Sequence, residues 1–120
     1  MTKNIAIDVG ISLNDAELIS YQYLKNTNNI LVNIKTWNDK TLVFSFKDPL
    51  LFMDKGCDII KNLCQDTSNS DLYNAILLRA YEKIPENCPY KRYQLIDLDD
   101  FPALEIICEK FEVISLSSTN

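Results

Sequence analysis

Ile30-Leu31-Val32-Asn33-Ile34-Lys35-Thr36-Trp37-Asn38-Asp39-Lys40-Thr41-Leu42-Val43-Phe44-Ser45-Phe46-Lys47 is the stretch whose reading decides the fold class. Ile30, Val32 and Ile34 alternate with Leu31, Asn33 and Lys35, and Leu42, Phe44 and Phe46 alternate with Val43, Ser45 and Lys47. A period of two puts successive side chains on opposite faces of a strand, so each run offers one apolar face. Asn38-Asp39-Lys40 between them reads as a turn, as does Asn26-Thr27-Asn28-Asn29 ahead of them. The pair predicts an antiparallel meander with one face packed and the other wetter. Asp48-Pro49 ends the second strand, and Leu50 to Met53 reads as a short apolar connector before Lys55-Gly56.

Working towards the N-terminus, Ile5, Ile7, Val9, Ile11 and Leu13 alternate as in a half-buried strand that Gly10 bends or ends. The segment from Asn14 to Lys25 reads two ways. Glu17 stands three residues after Asn14, as in a helix capping box. Ile19, Tyr21 and Tyr23 nevertheless alternate with Ser20 and Gln22, and aromatic and β-branched residues favour a strand, which is the preferred reading.

Towards the C-terminus, Cys57 to Gln65 reads equally as a short strand or a helical turn, and Asp66 to Ser70 as a polar loop ending in an N-cap. Leu72, Ile76 and Ala80 at four-residue spacing, with Tyr73, Leu77 and Tyr81 beside them, predict an amphipathic helix over Asp71 to Lys83, stopped by Pro85. Tyr93 to Asp97 reads as a strand, and Leu104 to Leu116 as one or two more. The expected architecture is a single α+β domain over residues 1–120, mainly an antiparallel β-sheet (a meander) packed against one or two helices.

Composition narrows the function classes. The chain of 120 residues is 47% hydrophobic and 24% charged, as in an ordinary globular domain. Its net charge is −5, with a sequence pI near 4.6. The basic residues are scattered, only Lys91-Arg92 being adjacent, so the counterion-releasing patch that nucleic acid demands is missing. The pair of aromatics around it, Tyr90-Lys91-Arg92-Tyr93, is outweighed by the overall negative charge as a base-stacking platform. Met1 to Ile11 does not read as a secretory signal, and no run reaches the roughly 18 apolar residues of a membrane-spanning helix. These features predict a cytoplasmic protein whose thiols, Cys57, Cys64, Cys88 and Cys108, are reduced and mostly buried.

Catalytic chemistry has little to stand on. There is no histidine, which removes Ser-His-Asp and Cys-His arrangements and most zinc sites. With two glycines in the chain, no glycine-rich phosphate cradle can be built. The cysteines are too widely spaced for paired zinc ligands. No catalytic residue, metal site or cofactor is assigned. A carboxylate-rich run does stand out: Asp97, Asp99, Asp100, Glu105, Glu109 and Glu112 fall within sixteen residues, opposed only by Lys110. Its local explanation is a turn between two strands built by acidic side chains. Its binding explanation is a carboxylate cluster beside an apolar knob at Phe101-Pro102, suited to Lys and Arg of a partner. Trp37, the only tryptophan, is either a cover for the core's edge or an interface anchor. The candidate partner-binding residues are Trp37, Asp97, Asp99, Asp100, Phe101 and Glu105.

The run from Trp37 to Asp48 resembles a W-x₄-L-x-F-x-F-x-D strand pattern of small bacterial immunity proteins, from contact-dependent growth inhibition and other polymorphic toxin systems. Tyr93 to Ile106, with Asp97-Leu98-Asp99-Asp100-Phe101-Pro102 at its centre, is similar to their acidic turn between two late strands. The resemblance implies a cytoplasmic, stoichiometric inhibitor of a cognate toxin domain, often a nuclease with a basic cleft, and carries over no catalytic residue. Two other expectations stand beside it: a structural or adaptor subunit of a bacterial assembly, and a small metal-assisted hydrolase using the same carboxylates.

Overall fold

In the computed structural model, which describes residues 4–118 apart from 69 and 85, the described residues form nine strands and one helix. They are β1 (Asn4–Ala6), β2 (Ala16–Leu24), β3 (Asn29–Lys35), β4 (Lys40–Lys47), β5 (Leu51–Asp54), β6 (Ile59–Asp66), α1 (Asp71–Ala80), β7 (Lys91–Asp97), β8 (Pro102–Cys108) and β9 (Lys110–Ser118). All pairings are antiparallel, in the order β5-β8-β7-β6-β2-β3-β4-β9, with β1 added to β6. The expectation of an antiparallel sheet with a helix holds in this coarse form. The single meander does not: β2-β3-β4 and β6-β7-β8 are two separate meanders, joined where Ala16 and Glu17 pair with Ile60 and Ile59.

The two ends of that order belong to one bent ladder. Residues 48–50 connect β4 to β5, and Glu109 alone connects β8 to β9. Across the bend the Leu50 N–H donates to the Ile107 carbonyl (2.7 Å) and the Glu109 N–H to that of Lys47 (3.0 Å). The arm β4–β5 therefore runs against the arm β9–β8 without losing its pairing, and the sheet curls back on itself, as sheets do when strands bend round a corner. Facing layers then enclose the core. Ile30, Val32, Ile34, Leu42, Phe44 and Phe46 on one side meet Ile60, Leu63, Tyr93, Leu95, Leu104 and Ile106 on the other. Phe111 lies at the corner, its ring 5.1 Å from that of Phe46 and 5.5 Å from that of Tyr93.

Several local expectations are corrected. Leu51 to Asp54 is a strand and not a connector, because β8 offers it a partner edge that no local sequence signal reveals. The run from Ile5 to Leu13 is a strand only to Ala6, yet its alternation persists: Ile7, Val9 and Ile11 pack on the core and Leu13 is buried. Apolar period, more than ladder pairing, holds that segment in place. Within residues 14–25, Ala16–Leu24 is a strand, as preferred, and Ile59–Asp66 in the ambiguous segment after Cys57 is one too.

The helix is ten residues long, three shorter than expected, and the proline assigned to its end, residue 85, lies outside the described residues. Ser70 caps it, its hydroxyl accepting from the Tyr73 N–H. Leu77 is its buried residue, with Tyr73 and Ile76 half-buried, whereas Leu72 and Ala80 face solvent. No described helix is long and apolar enough to cross a membrane. All four cysteines are free thiols; Cys64 and Cys108 are buried and Cys57 and Cys88 half-buried.

Candidate functional site

Strand register brings the candidate residues to one end of the curled sheet. Asp97 at the end of β7 pairs beside Ile60, which pairs beside Ala16. Glu17 pairs with Lys35, and Lys35 with Thr41. The β7–β8 turn, the 55–58 connection, Asn14-Asp15 and the β3–β4 turn with Trp37 thus all project from the same edge. Trp37 is 64% exposed, Leu98 54% and Phe101 48%. Asp15, Glu17, Asp39, Asp58, Asp97, Asp99 and Asp100 lie in the same turns and strand ends, as do Lys35, Lys61 and Lys55, whose ammonium stands 5.4 Å over the Phe101 ring.

Part of that acidity builds the turns. Asp97 Oδ1 accepts from the backbone N–H of Asp99 (2.9 Å) and of Phe101 (3.0 Å), closing the β7–β8 hairpin. Asp100 takes a left-handed backbone (φ 62°) and its carboxylate pairs with Lys61. Asp39 is likewise left-handed (φ 62°) and reaches Lys35 at 3.3 Å. Thr36 closes the Trp37 turn, its hydroxyl accepting from the Lys40 N–H (3.0 Å). The turn reading of Asp97 and Asp100 is therefore correct, and Asp99 carries no ladder or turn duty in its side chain among the contacts described.

Glu105 does not join this surface. It is 9% exposed, its Oε1 accepting from Gln94 (2.7 Å) and its Oε2 held by Lys55 (2.5 Å). It belongs to a buried polar network on the face of β6-β7-β8 that turns away from the core. There Arg92 meets Asp66 at 2.6 Å, both side chains less than a tenth exposed, and donates to the Ser68 hydroxyl (2.9 Å). The Tyr73 ring covers the guanidinium at 5.7 Å, which places α1 over this face. Arg92 Nε and Asn62 Oδ1 are buried without a hydrogen-bond partner among the described residues. Sequence reasoning missed the network because Asp66, Arg92 and Gln94 look like ordinary solvated positions. The available signal was the alternation of Arg92 and Gln94 with Tyr93 and Leu95, which marks a second, opposite face of β7.

Burial pushes the thiols of Cys57 and Cys108 up to about 12, the Asp54 carboxylate adding to the effect at Cys57. Thiols so shifted stay protonated at neutral pH and react slowly. No group of three or more Cys, Asp or Glu among the described residues is arranged to hold a metal ion. No family model, curated protein or solved structure matches the chain.

Proposed function

We propose that this chain is a protein-binding inhibitor of the immunity type, neutralising a cognate bacterial toxin domain, a nuclease, by stoichiometric binding in the cytoplasm. The observation that carries the reading is the presence at one sheet end of exposed Trp37, Leu98 and Phe101 together with the carboxylates of the same turns. An exposed aromatic within a charged rim is the usual anatomy of an interface anchor. Negative charge here complements the basic cleft of a nuclease and speeds encounter with it. Trp37, Asp99, Asp100 and Phe101 are the contact residues. Asp97 shapes the turn that presents them, and Glu105 supports the adjoining strand from inside.

The test is a pull-down from the source cell, followed by titration calorimetry against the nuclease domain that it captures. Binding is expected at one-to-one stoichiometry, weakening as sodium chloride is raised. Trp37→Ala combined with Asp99→Ala should cost about 10- to 100-fold in affinity, with the far-ultraviolet circular dichroism unchanged. Undiminished affinity in that variant would place the interface elsewhere.

A further inference from the structure

The seam where β2 meets β6 is closed at one end only. Ala16 and Glu17 pair with Ile60 and Ile59, and the Leu18 N–H donates to the Asp58 carbonyl at 2.8 Å. Beyond that point β2 continues to Leu24, paired to β3 on one side and to no described strand on the other. β5, which leads into β6, is likewise paired only to β8. Between these two open edges lies a cleft of about 480 Å³, lined by Tyr21, Tyr23, Ile30, Leu50, Leu51 and Phe52 among others.

The cleft is apolar because of a bulge. Register shifts between Leu18 and Ser20, so Leu18, Tyr21 and Tyr23 face the same way as Ile34, Val32 and Ile30, towards the interior. The last of them, Tyr23, remains 53% exposed. Neighbouring hydrogen bonds hold both tyrosines at the rim: Tyr21 Oη donates to Asp54 Oδ2 (2.8 Å) and Tyr23 Oη to Asn28 Oδ1 (2.7 Å). Asn28 in turn donates to Asp48 (3.2 Å). A carboxylate therefore stands at each end of an uncharged groove. Asp54 is held ionised by the backbone N–H of Cys57 first, and by Tyr21 and Gly56 as well.

We propose that this cleft accepts one extended peptide segment of a partner protein, which adds antiparallel to the free edge of β2 over residues 20–24. Its alternate apolar side chains rest on Tyr23, Leu50 and Phe52, and a Lys or Arg at each end meets Asp48 and Asp54. An open strand edge presents a row of N–H and C=O groups on which another extended chain can pair, and alternating pockets select its side chains. The charges flanking the cleft make the guest basic. At roughly 3.4 Å per residue, an extended guest of six or seven residues is about 20–24 Å long. This surface touches the acidic sheet end only through Asp54, whose carboxylate caps the 55–58 connection, and does not depend on the inhibitor reading.

The experiment is selection from a phage-displayed library of random heptapeptides on the intact protein, followed by binding and amide hydrogen-exchange measurements with the enriched peptide. Enrichment of alternating apolar sequences with Lys or Arg at both ends is expected, as is slowed exchange at residues 20–24 when the peptide is bound. Tyr23→Lys, an exposed substitution, should abolish binding. Asp48→Asn with Asp54→Asn removes both charges, keeps an oxygen for Asn28 and for the Gly56 and Cys57 N–H groups, and turns an amide N–H towards Tyr21 Oη; it should erase the preference for basic ends. Trp37→Ala with Asp99→Ala should leave peptide binding unchanged. The proposal is overturned if no such sequence is enriched, if exchange at 20–24 is unaltered, if Tyr23→Lys binds normally, or if the Trp37 variant is the one that loses the peptide. Concentration-dependent protection of residues 20–24 without peptide would also overturn it, by assigning the edge to a second copy of the chain.

Discussion

Asp15, Asn28, Asp39, Asp48 and Asp100 all hold left-handed backbone, with φ between 49° and 63°. Asp and Asn tolerate that region better than other residues with a Cβ, and a chain with two glycines uses them for its tight turns. Four aspartates of the acidic total are thus explained by local geometry before any partner is invoked. The Asn and Asp clusters made these turns legible in the sequence. The pairing of Asp66 with Arg92 was not legible, since it depends on β6 and β7 being neighbours and on α1 covering them. Breaking a buried pair strands its other charge. Arg92→Ala is expected to cost about 3–5 kcal/mol in urea unfolding, with most of the loss recovered when Asp66→Leu accompanies Arg92→Met. A loss below about 1 kcal/mol would show that water already solvates the pair.

At the scale of elements, the two-residue period located β2, β3 and β4 but not β5, and the bulge in β2 marks a second limit. Ile19, Tyr21 and Tyr23 share a period, but the register shift puts Leu18, not Ile19, in phase with the tyrosines. Bulges answer to the neighbouring strand, so a single strand's sequence does not place them. The helix teaches a similar lesson: both four-residue lines were apolar, and the sheet's position selected the one through Tyr73 and Leu77. Leu77→Ala should therefore cost about 2–5 kcal/mol. Leu78→Ala, at a position 53% exposed, should stay within about 0.5 kcal/mol. Thermal or urea unfolding of the two variants side by side checks the assignment, and equal losses would contradict it.

For the whole molecule, the bent ladder of β4–β5 against β9–β8 makes one core out of two meanders. Phe46 sits at its centre, with no exposed surface and its ring 5.8 Å from that of Tyr93, which belongs to the other meander. Phe46→Ala is expected to cost about 3–5 kcal/mol and to speed exchange in β7 as well as in β3 and β4. Faster exchange confined to β3 and β4 would mean that the meanders are stabilised separately. Charge also acts at this scale. The acidic sheet end is assembled from turns that are distant in the chain, so salt dependence of partner binding tests the surface rather than any one carboxylate.

Alternation and turn residues in the sequence by themselves determined the class of the fold: antiparallel strands, a capped helix after Ser70 and an apolar face for each element. They did so because side-chain period and backbone preference are local properties. Tertiary structure alone decided that Leu51 to Asp54 is a strand, that Glu105 is internal, and that Trp37 and Asp99 share one end of the sheet. It also decided that β2 overhangs an open cleft. Each of these depends on which strands lie side by side, and pairing over long separations is set by the closure of the common core, which no local pattern records.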